Sequence, residues 1–190
     1  MSEAAIRVAT SDDAAAFLPV LRQAYAPLVR MGFHFTATRV GLDEVREALR
    51  KQSTFLLERT ETSGSRKILA SATVRFPWLA GERHYAPYPC IRWVFVVPDA
   101  QGQGLAHRML DHVEDGFLRQ QIKAPAVYLG TASRHPWLPG LYERRGYEPF
   151  HHNVNPLGIP LVWLRKVLIP DLYAALESPR EWTRDFPGAA

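Results

Sequence analysis

The chain has 190 residues, 47% of them apolar and 22% charged, with 23 basic against 19 acidic side chains for a net charge of +4. That length suits one domain with a real core. No apolar run approaches the ~20 residues of a membrane span, and the basic excess is spread along the chain without a dense block, so neither a membrane nor nucleic acid is an expected partner. A mildly cationic surface does suit an anionic, phosphate-rich ligand. The single cysteine, Cys90, allows no internal disulfide and fits a reducing compartment. Met1 to Thr10 lacks a basic region followed by an apolar core, so no secretory signal is expected and the expected localisation is cytoplasmic.

Ile6 to Ala9 reads as a short strand, and Ser11, Asp12 and Asp13 offer caps for a helix. That helix carries Phe17, Val20, Leu21, Ala24 and Tyr25 on one face, with Pro19 tolerable only in its first turns. Pro27 to Arg39 has no clean period; its Phe33, His34 and Phe35 either pack the core or line a substrate pocket. A second helix is expected from Leu42 to Lys51. Phe55 to Glu58 and Ile68 to Phe76 read as strands of a hairpin, joined by the polar stretch Thr60 to Lys67. A loop rich in aromatic and charged residues, Pro77 to Pro89, leads into the central stretch of the chain.

Ile91 to Val97 is apolar except for Arg92 and stops at Pro98, which cannot donate to a ladder. After Gln101, Gly102, Gln103 and Gly104, the residues Leu105, Met109, Leu110, Val113 and Phe117 recur at a spacing of about 3.6. The reading is a buried strand, a glycine turn and a helix. The first turn of a helix has backbone N–H groups without intrahelical partners at the positive end of the macrodipole, which makes it a ready phosphate site. A P-loop would need Lys and Ser or Thr after its last glycine, where Leu105 and Ala106 stand. A dinucleotide fingerprint would need a third small residue at His107. Beyond the helix, Ala126 to Ala132 is a further strand and Pro136 to Gly146 a short helix with a glycine cap. Two more strands are expected, to Phe150 and from Leu161 to Val167, then a weak helix at Leu172 to Leu176.

The turn resembles the pyrophosphate loop of the GNAT superfamily of acyl-CoA-dependent N-acyltransferases, through Gln101, Gly104 and Ala106. A second element, Leu141-Tyr142-Glu143-Arg144-Arg145-Gly146-Tyr147, is similar to that family's Leu-Tyr-Glu-x-x-Gly-Phe run and lies one helix and one strand downstream. The resemblance covers roughly residues 6 to 168. It implies an α/β (α+β) fold, a mixed but largely antiparallel central sheet flanked by helices. On this reading residues 1–168 form the acetyltransferase domain, and 169–190 form an extension packed on the domain or on a partner subunit, with Trp182 and Phe186 covered.

The implied activity is acetyl (acyl) transfer from acetyl-CoA to a primary amine, by direct attack with no covalent acyl-enzyme and no metal. Main-chain groups of Val96 and Val97 would meet the pantetheine amides. The backbone of Gln101, Gly102, Gln103, Gly104, Leu105 and Ala106 would cradle the diphosphate. Tyr142 matches the family tyrosine that approaches the sulfur and serves as general acid; a phenol with a pKa of about 10 can donate to a departing thiolate, whose thiol has a pKa of about 8.5. Many relatives carry a glutamate where Cys90 stands, so the general base falls to the preceding loop, where Glu82 and His84 are candidates, with His34 and His135 behind them. His135 stands seven residues before Tyr142, where relatives often have asparagine. The expected acceptor is a small, partly apolar amine, with a peptide or protein amine as the other option, for a monomer or homodimer. The alternative from another class is a non-catalytic acyl-CoA-binding sensor.

Overall fold

Polar residues between two apolar runs make a tight turn, in which Gly64 N–H donates to Glu61 O and Glu61 N–H to Ser65 O. This hairpin joins β2 (Ser53–Thr60) and β3 (Arg66–Arg75), the left half of a seven-stranded sheet. The computed structural model describes residues 4–79 and 84–177. Its other strands are β1 (Ala5–Val8), β4 (Cys90–Val96), β5 (Ala126–Ala132), β6 (Glu148–Val154) and β7 (Pro160–Val167), and the spatial order is β1-β2-β3-β4-β5-β7-β6. Among the described residues every pairing is antiparallel except that of β4 with β5. This is the mixed, largely antiparallel sheet that the motifs imply.

The helices are α1 (Ala14–Arg30), α2 (Leu42–Lys51), α3 (Leu105–Asp111), α4 (Leu138–Arg144) and α5 (Pro170–Glu177). Two differ from the sequence reading. α1 runs through Pro19 and Pro27 to Arg30, beyond the point where periodicity fades. The carbonyls that lose partners belong to Ala15 and Gln23, both exposed, so water can take them. α3 continues as a π-helical segment over His112–Ile122, closed by Lys123 at φ 59°. α5 docks through Tyr173, which meets the Tyr88 ring at 5.8 Å and lies under the Arg165 guanidinium. Trp182, Phe186 and Glu82 lie outside the described residues.

Paired residues of neighbouring strands share a face of the sheet. Phe55 pairs with Ala72 and meets Phe117 at 4.9 Å between ring centroids, so the π-helical segment covers that face. Ser71 pairs with Phe95, which meets Phe17 of α1 at 5.8 Å. α1 and α3 therefore cover opposite faces, each burying its own apolar stripe.

Two features open the middle of this sheet. Ser71 pairs with Phe95 but Thr73 with Arg92, so β4 carries one residue more than its partner, and Trp93 takes the left-handed φ of 50°. Such a bulge bends its strand, and an indole-bearing residue at that φ stores on the order of 1–3 kcal/mol of strain. On its other side, β4 meets β5 only at Cys90↔Tyr128 and Ile91↔Leu129. Beyond Ile91 the two parallel strands part.

Candidate active site

The parted seam leaves main-chain groups of β4 without a ladder partner on the β5 side. Val97 N–H donates to Leu69 O at 2.9 Å, and its carbonyl accepts from Ala100 N–H at 2.9 Å. Strand alternation then turns the main chain of Val96 away from β3 and toward the seam. Of the two valines, Val96 is the one whose amide points into the opening. Its carbonyl accepts a hydrogen bond from the Gln101 side chain, Nε2, at 3.1 Å, which folds Gln101 back over the strand end.

The glycine turn sits directly beyond. Pro98–Ala100 makes one 3₁₀ turn, tethered by Lys67 Nζ to Asp99 Oδ2 at 2.7 Å. Gln101, Gly102, Gln103 and Gly104 are all exposed, and Leu105 and Ala106 half-buried as α3 begins. Gly102 and Gly104 have φ of 76° and 74°, and a Cβ on either would meet nothing within 4 Å. Glycine is required there by the backbone angle, and the space above the turn is open. Met109 and Leu110 anchor the helix beneath it in the core.

Tyr142 stands on α4, buried, with its ring 5.8 Å from that of Tyr147. Burial holds its phenol well above the ordinary range, helped by the nearby Tyr25 and Glu114. α4 lies on the α3 face, because Arg145 and Tyr147 just after it both bond to Glu114 of the π-helical segment. Tyr25 belongs to α1 on the opposite face and is itself pushed up to about 12 by burial.

Glu114 was not singled out in the sequence, although it falls on the apolar stripe between Leu110 and Phe117, and an acid there is a signal. It is fully buried, and its carboxylate accepts from Arg145 Nε and Nη2, Tyr147 Oη at 3.0 Å and Lys166 Nζ. These bonds pin the far end of α4 to α3 and β7. The near end is held by His135, whose Nδ1 accepts from the backbone N–H of Leu138 at 3.1 Å and of Trp137 at 3.4 Å. His135 thus caps α4. Burial lowers its pKa, and the proton of the neutral ring sits on Nε2, which is buried with no hydrogen-bond partner among the described residues.

His84 lies on the other side of the seam. Its Nδ1 is 3.4 Å from the hydroxyl of Tyr128, whose strand position is opposite Cys90 on the α1 face. The structure sets Val96 and the glycine turn at the open end and His84 with Tyr128 at the end still paired, while Tyr142 stands on α4, on the α3 face. The loop after α1 packs between α1 and the start of α4. Phe35 packs edge-on against Tyr25 at 6.0 Å, Phe33 meets His135 at 5.2 Å, and His34 O accepts from Asn155 Nδ2 at 3.0 Å. Among the described residues no group of three or more His, Cys, Asp and Glu is placed to hold a metal ion, and no helix is long and apolar enough to cross a membrane.

A strand, an open glycine turn and a helix thus stand beside a split between parallel neighbours, with a buried phenol on α4. The chain belongs to the GNAT acetyltransferase family, whose domain model matches residues 52–149. It is 36% identical over 174 residues to the S-alkylcysteine N-acetyltransferase of Bacillus subtilis (strain 168), an alignment covering 91% of this chain and 94% of that protein. It is 34% identical over 168 residues to the S-(2-succino)cysteine N-acetyltransferase of the same organism, covering 87% and 97%. Among solved structures, a GNAT-family acetyltransferase from Streptococcus pneumoniae matches with a TM-score of 0.63 at 17% identity, covering 87% of this chain and 99% of that one. The protein is an N-acetyltransferase, and enzymes of this family take acetyl-CoA as co-substrate.

Proposed function

We propose that this enzyme acetylates the α-amine of a small S-substituted cysteine, using acetyl-CoA. The observation that carries the reading is that two relatives aligned over nearly their whole length are both named for N-acetylation of cysteine thioethers. The aromatic side chains of Tyr25, Phe33 and Phe35 suit the apolar substituent of an S-alkylcysteine.

Acetyl-CoA, when bound, supplies an activated acetyl group and a thiolate leaving group. The open, left-handed turn at Gly102 and Gly104 fits a diphosphate, which the backbone N–H groups of Gln101 to Ala106 would hold at the start of α3. Val96, with Val97 beside it, would meet the pantetheine amides at the unpaired edge of β4. His84 would take the ammonium proton, directly or through a water. Tyr142, kept protonated by burial, would donate its proton to the departing sulfur. Placing amine and thioester on the two sides of one opening makes the attack effectively unimolecular, and no covalent acyl-enzyme is needed.

Thiol release from acetyl-CoA across a panel of amines tests this reading. S-methyl- and S-benzylcysteine should exceed a polyamine and an amino-terminal peptide by at least ~10-fold in kcat/KM. Preference for the polyamine or for the peptide amine would overturn it.

A further inference from the structure

The helix that carries Tyr142 starts on poor helix formers. α4 opens with Leu138, Pro139 and Gly140, of which the proline has no N–H and the glycine is about 1 kcal/mol worse than alanine. Its seven residues make about two turns, too few to hold themselves. Trp137, just before the first turn, has no side-chain acceptor for the exposed N–H groups. The acceptor comes from His135, whose Nδ1 takes the N–H of Leu138 at 3.1 Å and of Trp137 at 3.4 Å. Trp137 O in turn accepts from Leu141 N–H at 2.9 Å, and Tyr142 is the next residue, one turn beyond Leu138.

Only a neutral ring can do this. Its proton then sits on Nε2, which is buried and without a hydrogen-bond partner among the described residues. His135 is 4% exposed, with Phe33 of the loop after α1 at 5.2 Å and Trp137 edge-on at 4.8 Å, so both neighbours present aromatic rings. Burial is the cause of its lowered pKa; no charge acts on it, neither from His34 beside Phe33 nor from Arg134 on its own loop. An imidazolium here would turn an N–H toward two other N–H groups at Nδ1, and would bury a charge with no carboxylate beside it among the described residues. Taking up a proton therefore breaks the cap.

We propose that neutral His135 is a positioning residue for Tyr142, holding the first turn of α4 in place, and that protonation of its ring releases that turn and stops transfer on the acid side. This rests on the reading of Tyr142 as the general acid. The far end of α4 stays tied to Glu114, so release moves the near turn, and a misplacement of about 1 Å can cost ~100-fold in rate. Below about 6.5 the unfolded chain takes up a proton that the folded ring refuses, so the folded state also loses stability as the pH falls toward the folded-state pKa.

Kinetics on the wild type, His135→Asn and His135→Phe from about pH 5 to about pH 8 test this. Asparagine keeps an acceptor as many bonds from the backbone as Nδ1 but does not titrate; phenylalanine keeps a ring without an acceptor. Near neutral pH His135→Phe should lose about 10- to 100-fold in kcat, and His135→Asn should recover all but about threefold of it. Acetyl-CoA affinity by calorimetry should hold within about threefold in both; an affinity loss as large as the kcat loss would overturn the proposal. The ratio of wild-type to His135→Asn kcat should fall toward the His135→Phe level as the ring takes its proton, followed by nuclear magnetic resonance of the ring nitrogens. Other ionising groups cancel in that ratio. In the wild type the same spectra should place the neutral ring's proton on Nε2, with the Trp137 and Leu138 amide signals moving as the ring titrates. A proton on Nδ1 at neutral pH would overturn the proposal even if neither variant folds. So would a ratio that stays level through the titration, a ring that stays neutral until the protein unfolds, or an unchanged kcat in His135→Phe. An unchanged kcat in Tyr142→Phe would sink the acid reading and this one with it, whereas a loss there beside a level ratio sinks the role of His135 alone.

Discussion

Tyr128 lies on the α1 face opposite Cys90, where β4 and β5 are still paired, whereas Tyr142 lies on α4, which Glu114 holds on the α3 face. Burial raises both phenols, so protonation does not distinguish them. Their surroundings do. The Tyr128 hydroxyl meets His84 Nδ1 and the Tyr85 N–H, each at 3.4 Å, and so ties the 84–89 loop to the sheet. Tyr142 instead packs its ring against Tyr147, whose hydroxyl donates to the buried Glu114. Protonated phenols are therefore not rare in this core, and the acid role proposed for Tyr142 rests on its place in the family motif and not on its protonation.

The largest effect that would strain this contrast is at the support of Tyr142. Glu114→Ala leaves Arg145 and Lys166 facing a buried gap, and should cost about 3–5 kcal/mol of stability by chemical denaturation. A loss below about 1 kcal/mol would mean that the cluster does not pin α4. Next is the pair of tyrosines themselves. Tyr142→Phe should lower kcat by at least ~100-fold with little change in KM for acetyl-CoA, while Tyr128→Phe should leave kcat within a few-fold and cost only about 1 kcal/mol of stability. Steady-state kinetics on the two variants decides it, and an unchanged kcat in Tyr142→Phe removes that residue from the acid role. Smallest is the turn at the rim. Gly104→Asp should weaken acetyl-CoA binding at least tenfold, about 1.4 kcal/mol by calorimetry, while the protein stays folded; equal affinity would refute the cradle.

Much of the open end was legible because its signals are local. Pro98, the two glycines and the periodic helix that follows lie within one short stretch, and the turn they describe needs no distant partner to form. Tyr142 was found through the residues around it for the same reason. The support of that end was not legible. Glu114 could be seen as an acid on an apolar stripe, but its partners Arg145, Tyr147 and Lys166 lie 31 to 52 positions away. His135 read as a departure from an asparagine, yet its Nδ1 supplies acceptors for the helix N–H groups. The loop after α1 showed no period, and only packing reveals that its aromatics meet Tyr25 and His135.

The sequence by itself determined the order of strands and helices, the glycine turn and the phenol, because hydrophobic period, proline and glycine act over a few neighbouring residues. The tertiary structure alone decided that β4 bulges at Trp93, that it leaves β5 after Ile91, and that Arg92 takes the α1 face. Those facts depend on register between strands far apart in the chain. A shift of one residue would exchange the faces and send each side chain to the wrong side of the sheet.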